Sequence, residues 1–445
     1  MDKEGIIKLI EAKFSFSTLN EMQQHVVERW EKCKRNIVLY SPTGSGKTIA
    51  FAISILGDID ENDSRLQSAI IVPTRELAIQ TTDVLKKLAP TLKITCCYGG
   101  HNSQDERRSL SQNPIIIVAT PGRLLDHIER GNINVQAVTA LVLDEFDKSL
   151  ELGFLEEMRH IIGRFPSTVR TIMTSATIIK RAPDFIDFRH FEIIDYMQSV
   201  TSSPQSRIHN WLVKCHDNNR ICCLEKLLMS LPNERTLIFS NQRETAQLIS
   251  NQLSRAGIAT GLFIGTLEQT DREKTLAMFA NGSLMVLSAT DLASRGLDIS
   301  DIRHIIHYDL PLTAEIFTHR NGRTARVQET GDAYFMCGKG DTCAPFINID
   351  YQYNLNTSVL NDSKRPLAAT LFISAGKKEK ISKGDVVGYL INNSNSITHE
   401  EIGMIHIFDH YSLVALPPSK IVDIIKTISP FKLKKQKVKL RLLQK

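Results

Sequence analysis

The segment SPTGSGKT at 41–48 combines glycine, lysine and hydroxyl groups at spacings that suit phosphate chemistry. Gly44 and Gly46 let backbone N–H groups turn inward onto phosphate oxygens, and a helix opening there directs its positive end at the same point. Thr43 and Ser45 complete the loop, Lys47 can neutralise β- and γ-phosphates, and the Thr48 hydroxyl can hold Mg²⁺. The generic pattern has glycine where Ser41 stands, so the context must carry the reading. Far along the chain, Asp144-Glu145-Phe146-Asp147 sets carboxylates together. Asp144 is suited to anchor Mg²⁺, and Glu145 to orient and deprotonate a water attacking a phosphoryl group.

Such groups need elements that aim them. NIVLY (36–40) precedes the glycine-rich loop and ALVL (140–143) precedes the acidic turn, so both sites fall at the carboxyl ends of predicted strands, where ligands bind in open α/β sheets. SAIIV (68–72), PIIIVA (114–119) and RTIMT (170–174) repeat the pattern of a short β-branched run followed by a turn and a helical stretch. The rhythm restarts after residue 205 with TLIFS (236–240), LMVLS (284–288), RHIIHY (303–308) and DAYFMC (332–337). Two doubly wound α/β lobes are predicted, over 1–200 and 207–345, with the polar stretch SVTSSPQSR (199–207) as a hinge. An irregular linker over 346–366 then leads to a tail domain at 367–445.

The 445 residues suit several globular cores, with 42% hydrophobic and 23% charged content. No apolar leader or spanning segment is apparent, which predicts a soluble, unsecreted, cytoplasmic chain with no membrane partner. Eight cysteines include the adjacent pairs Cys96-Cys97 and Cys222-Cys223 but no C-x-x-C spacing, arguing for reduced thiols and against a zinc or dithiol centre. Net charge is +5, unevenly spread: Lys364 to Lys445 holds 15 Lys and Arg against 6 Asp and Glu, a net +9, leaving −4 on residues 1–363. That imbalance points the tail at an anionic partner.

Read in order, the motifs resemble the DEAD-box family of RNA-dependent ATPases. Besides SPTGSGKT and DEFD they include PTRELAIQ (73–80), Gly99-Gly100, TPGR (120–123), SAT (175–177), IFSNQ (238–242), Gln269 with Arg272, ATDLASRGLD (289–298) and HRNGRTAR (319–326). The resemblance implies two RecA-like lobes, ATP with Mg²⁺ as cofactors, and RNA held across both lobes. It assigns adenine reading to Gln23, the ribose contact to Asp298, and arginine fingers on the γ-phosphate to Arg323 and Arg326. Ser175 and Thr177 become the link from Asp147 to RNA-driven lobe closure. RNA contacts fall to Pro73, Thr74, Arg75, Gly99, Gly100, Thr120, Gly122 and Arg123 in the first lobe and to Gln269, Arg272 and Thr290 in the second. Gly and Thr beside Arg suit phosphate and 2′-OH contact without base reading. Two positions depart from the family: Phe146 replaces an alanine and Ala325 a glycine, and neither removes a catalytic group.

From residue 367 the predicted order is β-α-β-β-α-β, that of an RNA-recognition-motif fold. AGKKEKISKGDVVGYL, IGMIHIF and KVKLRLL further resemble the C-terminal domain of the bacterial DbpA-like helicases, which implies direction to structured large-subunit ribosomal RNA during ribosome assembly. Phe372 is the one evident stacking ring, since Ser412 and Val414 stand where rings are expected in the third strand. Recognition is therefore expected through Lys377, Lys378, Lys380 and Lys383 and through Lys432, Lys434, Lys435, Lys437, Lys439 and Arg441. The expected activity is ATP-dependent unwinding of structured RNA, with ribosomal RNA as the expected target, by a monomer. The rival is an ATP-dependent RNA clamp with hydrolysis weakened at Phe146 and Ala325; a DNA translocase fits the motifs and tail less well.

Overall fold

The computed structural model describes residues 18–42, 44–100, 103–179, 182–197, 208–215, 219–291, 302–324, 330–355 and 364–443. The chain divides into two compact units at about residue 201.

The first unit is built on seven strands: β1 (Asn36–Tyr40), β2 (Ser68–Ile71), β3 (Ile94–Cys97), β4 (Ile116–Ala119), β5 (Ala140–Leu143), β6 (Arg170–Ser175) and β7 (Phe191–Asp195). All pair in parallel, in the order β3-β4-β2-β5-β6-β1-β7. The central strands are apolar on both faces because helices cover both, and two core clusters result. One gathers Ile37, Leu39, Ile70 and Val142 beneath the helix Lys47–Gly57. The other gathers Val38, Leu141, Leu143 and Met173, and the Phe146 ring is completely buried there. The aromatic ring that departs from the family pattern is thus housed in the core.

The second unit opens with β8 (Ile208–Lys214), β9 (Arg235–Ser240), β10 (Thr260–Phe263), β11 (Val286–Thr290), β12 (Ile302–His307), β13 (Gly331–Cys337) and β14 (Tyr351–Tyr353). These form a second parallel sheet, ordered β10-β11-β9-β12-β13-β8-β14. The sheet reaches further along the chain than the span 207–345: β14 pairs with Trp211–Val213, and Tyr351 and Tyr353 pack their rings against Trp211. Stacking and strand pairing thus draw in a segment that composition alone reads as irregular. Lys364 is also anchored, its ammonium donating to the carbonyls of Pro232 and Glu234.

The same unit ends in four antiparallel strands, β15 (Ala369–Ile373), β16 (Ile405–Ile407), β17 (Ser412–Leu416) and β18 (Leu440–Leu443), ordered β16-β17-β15-β18. Helices Lys383–Asn393 and Ile421–Ile428 cover one face through Val386, Leu390, Ile424 and Ile428. This realises the predicted β-α-β-β-α-β order. Among the described residues, no helix is long and apolar enough to cross a membrane.

Candidate functional site

Strand order sorts the expected site residues into two groups at the carboxyl edge of the first sheet. β5, β6 and β1 are neighbours, and they deliver the acidic turn, the SAT segment and the glycine-rich loop. β3, β4 and β2 are likewise neighbours, and they deliver Gly99-Gly100, TPGR and Pro73-Thr74-Arg75. The residues expected at ATP and those expected at RNA therefore share one sheet edge but occupy different halves of it.

In the glycine-rich loop, Gly44 and Gly46 adopt φ of +82° and +89°, a left-handed backbone open to glycine at little cost. A side chain on Gly46 would run into the Gln23 amide. Lys47 is buried, and its ammonium donates to the Ser41 and Pro42 carbonyls at 2.7 and 2.8 Å. The Ser41 hydroxyl, where the generic motif has glycine, donates to Ser45 Oγ at 2.7 Å and so becomes part of the loop's own bonding. Thr48 lies in the first turn of the helix Lys47–Gly57. Gln23 closes a capping box with Asn20 and donates from Nε2 to the Gly46 carbonyl at 3.2 Å, while Asn20 Nδ2 donates to Ser45 O at 3.0 Å. The expected adenine reader is thus also a strut under the phosphate loop. Its amide has four hydrogen-bonding positions in all, so this support is compatible with a further partner. Thr43, Asp298 and Arg326 lie outside the described residues, as do Ala325 and the hinge segment from 198 to 207.

At the acidic turn, Thr174 Oγ1 donates to Asp144 Oδ1 at 2.6 Å, and the Glu145 N–H bonds to the same oxygen at 3.1 Å. Burial pushes the Asp144 pKa above the ordinary carboxylate range, opposed by the Thr174 hydrogen bond and by the charge of Lys47. A buried carboxylate of this kind is stabilised as an anion by a hard divalent cation, so the oxygen donors of Asp144 and Thr48 fit Mg²⁺. Glu145 adopts φ +46°, ψ +50°, a left-handed conformation that costs a non-glycine residue on the order of 1 kcal/mol or more. Such strain is retained where it aims a side chain. Asp147 Oδ2 accepts from Thr177 Oγ1 at 2.8 Å, and Ser175 Oγ donates to the Thr177 carbonyl at 2.5 Å, joining the acidic turn to SAT in one chain of contacts. Asp147 Oδ1 is buried with no hydrogen-bond partner among the described residues.

On the other half of the edge, Thr74 caps the helix Arg75–Leu88 by accepting from the Leu77 N–H at 3.3 Å, and Pro121 starts the helix after Thr120. The Arg75 guanidinium lies over Gly99 and Gly100; the latter has φ +98°, and a side chain there would collide with Arg75. Glu106, a residue the sequence reading did not single out, ties this half together from the helix Ser103–Leu110. It accepts from the Tyr98 N–H at 2.9 Å, from Arg123 Nε at 2.5 Å and from His127 Nε2 at 2.7 Å. Asn132 Nδ2 lies 3.0 Å from His127 Nδ1, so with the amide donating, the imidazole carries its proton on Nε2 and donates to Glu106. Cys97, Glu106 and His127 stand close enough to ligate a metal, but Arg123 already neutralises the carboxylate and the imidazole is engaged. Only the motif spacing of Gly99-Gly100 and TPGR hinted that something must join them.

In the second unit, Gln269 and Arg272 occupy the first turn of the helix Gln269–Ala280 that follows β10, and Thr290 ends the adjoining β11. Gln269 Nε2 donates to Glu273 Oε1 at 3.3 Å, and Arg272 stacks 5.0 Å over Phe263. Arg323 follows the helix Ala314–Asn321 and is buried. Its neighbour Arg320, which the sequence reading also passed over, is buried as a hub. It bonds both Asp291 oxygens at 2.6 and 2.8 Å, Asn241 Oδ1 at 2.7 Å and the Asp309 carbonyl at 2.7 Å.

Family models agree with this geometry. One described as DEAD/DEAH box helicase matches residues 20–185, one described as helicase conserved C-terminal domain matches 219–328, and one described as DbpA RNA binding domain matches 370–442. The ATP-dependent RNA helicase DbpA of Escherichia coli strain K12 is 33% identical over 429 residues, covering 92% of this chain and 91% of that protein. The chain belongs to the DEAD-box family of ATP-dependent RNA helicases. The helicase CshA of Listeria monocytogenes is 33% identical over 342 residues, 74% of this chain and 64% of that protein. In fold, the chain is similar to S. cerevisiae Dbp5 bound to RNA and ADP BeF3, with TM-score 0.67, 23% identity and coverage of 76% and 88% of the two chains. Mss116 bound to ssRNA and UDP-BeF gives TM-score 0.67 at 22% identity, covering 78% and 77%.

The DbpA-type domain of this DEAD-box chain carries most of its lysines in two neighbouring segments. Lys377, Lys378 and Lys380 form an exposed turn, and the segment holding Lys432, Lys434, Lys435, Lys437 and Lys439 runs beside it. Lys434 Nζ donates to the Lys380 carbonyl at 2.8 Å and pairs with Asp385 at 2.7 Å, so this lysine binds the two segments to each other. Gly376 has backbone of the loop 408–411 where a side chain would stand, which holds the turn close. Lys383 begins the helix Lys383–Asn393, and Arg441 lies 4.3 Å over the Phe372 ring. The expectation for Ser412 and Val414 is corrected: both side chains are buried, Val414 against the helices. Strand alternation instead turns Leu413 to the opposite face, beside Tyr411.

Proposed function

We propose that this chain couples ATP hydrolysis to local opening of structured RNA, with large-subunit ribosomal RNA in assembling ribosomes as its target. Residues 1–200 serve as the ATP-binding lobe, the stretch from 207 through β14 (Tyr351–Tyr353) as the second helicase lobe and 367–445 as the RNA-targeting domain, in a monomer working in the cytoplasm. Lys47 and the amides of the loop bind ATP phosphates, Thr48 and Asp144 hold Mg²⁺, and Glu145 takes the proton of the attacking water. Bound Mg²⁺ would neutralise charge on the phosphates. Arg323 and Arg326 stabilise negative charge on the transferred phosphoryl group, a role worth roughly 10³ to 10⁵ in rate. Gln23 and Asp298 hold the adenosine. The RNA strand is gripped through its backbone, without base reading, by Pro73 to Arg75, Gly99, Gly100, Thr120, Gly122, Arg123, Gln269, Arg272 and Thr290. The exposed Lys377, Lys378, Lys380, Lys437 and Lys439, with Arg441, bring the enzyme to its RNA.

The observation that most supports this reading is the hydrogen bond from Thr177 to Asp147. It links the segment beside the hydrolytic carboxylates to SAT, so that a change in RNA grip has a path to the hydrolytic site. The core position of Phe146 speaks against the clamp alternative, because the ring displaces no charged group. The test is ATP hydrolysis with ribosomal RNA, a length-matched unstructured RNA and DNA, using the intact chain and Lys377→Glu/Lys437→Glu/Lys439→Glu. Preferential stimulation by ribosomal RNA that the triple variant loses supports targeting. Equal stimulation by every RNA in both proteins keeps the helicase and removes the ribosomal target, and stimulation by none removes both.

A further inference from the structure

In the antiparallel sheet of the tail, Phe372 stands opposite Leu413 and Arg441, and Thr370 opposite Ala415 and Leu443. Their neighbours Leu371, Ile373, Val414 and Leu416 point to the helices, so this first set lines the other face, the one on which RNA-recognition motifs stack bases. Here the helix Gln269–Ala280 of the second lobe meets that face. Ala277 shares an apolar cluster with Tyr411 and Leu413, flanked by Phe372, Phe408 and Leu443. Polar contacts fix the register. Asn281 Nδ2 donates to Thr370 Oγ1 at 2.9 Å, Ser283 Oγ lies 2.7 Å from the same oxygen, and the Leu367 N–H donates to the Gly282 carbonyl at 2.9 Å.

Tyr411 sits at the centre of this contact. Its ring stacks on Phe408 at 4.6 Å and Phe372 at 5.5 Å, which holds the hydroxyl at the helix. The hydroxyl donates to Glu273 Oε2 at 3.1 Å, and the other oxygen of that carboxylate accepts from Gln269 Nε2 at 3.3 Å. A carboxylate held at one oxygen by a rigid aromatic presents the other in a fixed place. Gln269 is one helical turn away, at the end of the helix that is read as touching RNA.

We infer that Tyr411 is a positioning residue for the RNA grip of the second lobe, acting through Glu273 on Gln269. The DbpA-type domain then does more than deliver the enzyme to RNA: with its sheet face docked, it also sets how firmly the neighbouring lobe holds a strand. Base stacking on Phe372 gives way to this docking, and RNA contact by the tail falls to the two lysine segments. The inference rests on Gln269 contacting RNA.

The test uses the full chain and titrates ATP hydrolysis with unstructured single-stranded RNA, which removes the target preference of the tail from the readout. Tyr411→Phe keeps the ring and its stack and deletes only the hydroxyl. The expected result is a KM for RNA raised about three- to tenfold with an unchanged melting temperature, the range for losing a bond to a charged group through one intermediary. Gln269→Ala raises KM as well, and the double variant is no worse than Gln269→Ala alone, the non-additivity of groups acting in series. If Gln269→Ala raises KM and Tyr411→Phe does not, or their effects multiply, the relay is wrong and the RNA grip stands. If Gln269→Ala leaves KM unchanged, Gln269 does not grip RNA and the inference falls with it.

Discussion

Glu106→Gln offers the sharpest check on how the first lobe holds the loops expected at RNA. The carboxylate is 3% exposed and accepts from the Tyr98 N–H, Arg123 Nε and His127 Nε2. Glutamine keeps the shape but turns one acceptor into a donor. With the amide oxygen on Tyr98, its NH₂ faces the N–H groups of Arg123 and His127, and two donors confront a third. Bonds to charged groups contribute about 1.5–3 kcal/mol each, and removing one partner of a buried ion pair costs about 3–5 kcal/mol. The Arg123 side chain is 17% exposed and recovers some hydration, and His127 can exchange tautomer, so a loss of about 2–4 kcal/mol is expected. At roughly 2–4 °C per kcal/mol for a unit of this size, the first lobe melts about 4–16 °C lower.

The functional consequence follows from Arg123. Freed of its Nε anchor, the guanidinium must be ordered when RNA binds, at about 0.5–1.5 kcal/mol for one long side chain. The KM for RNA then rises about three- to tenfold while kcat at saturating RNA changes little. Thermal melts and RNA titrations of ATP hydrolysis separate the two effects. A lower melting temperature with unaltered KM makes Glu106 a core residue with no bearing on RNA, and no change in either removes the network itself.

Glu145→Gln preserves the left-handed turn but no longer accepts a proton, so kcat for ATP falls by about 10² to 10⁴ while ATP-dependent RNA binding persists; retained turnover would assign the base elsewhere. Restoring the family's small residue by Phe146→Ala empties a fully buried site and lowers first-lobe stability by about 3–5 kcal/mol, read as a shift in the urea midpoint. A shift below about 1 kcal/mol means the core closes around the gap. Burial, with the charges of Lys364 and Arg303, pulls the His304 pKa down to about 3, outweighing the Glu234 carboxylate 3.0 Å from Nε2 and the Asp332 carboxylate 3.7 Å from Nδ1. The folded chain therefore binds fewer protons than the unfolded one between about pH 3 and 6.5, so this contribution is complete above 6.5 and drains away as pH falls through that window. Urea midpoints at pH 7.5 and 5 should drop more in the wild type than in His304→Gln, and equal drops count against the argument.

Much of the fold was legible because central parallel strands advertise themselves. NIVLY, ALVL and TLIFS are apolar on both faces, and each is flanked by a strand on either side. The strands that composition did not reveal are chiefly edges: β3, β7, β10 and β14 flank their sheets, and β8 lies next to one. An edge strand such as β14, with YQY half out of water, has no continuous apolar run to betray it. The candidate site divides similarly. Residues on a motif were visible, but Glu106 and Arg320 earn their places through contacts between motifs, which linear spacing does not encode. Likewise Tyr411 precedes its strand by one residue, and a one-residue change of register decides which face a side chain joins.

In both lobes polar bonds cross neighbouring strand ends that carry residues expected at ATP or at RNA. In the first lobe β5 lies between β2, which leads to the Pro73–Arg75 turn, and β6, whose Thr174 holds Asp144. In the second, β11, β9 and β12 are consecutive neighbours, and Arg320 bonds the residues just beyond each: Asp291, Asn241 and the Asp309 carbonyl. Asp291 adjoins Thr290, expected at RNA, and Arg320 lies three residues before Arg323, expected at the γ-phosphate. A buried guanidinium with four charge-assisted or carbonyl bonds moves as a unit with what it holds, because losing any one leaves an unsatisfied buried group. Displacement of the strand end at Thr290 must then either break that network or carry the arginine-bearing turn along with it. The second course is the cheaper one, so the residue expected at RNA and the arginine expected at the γ-phosphate move together.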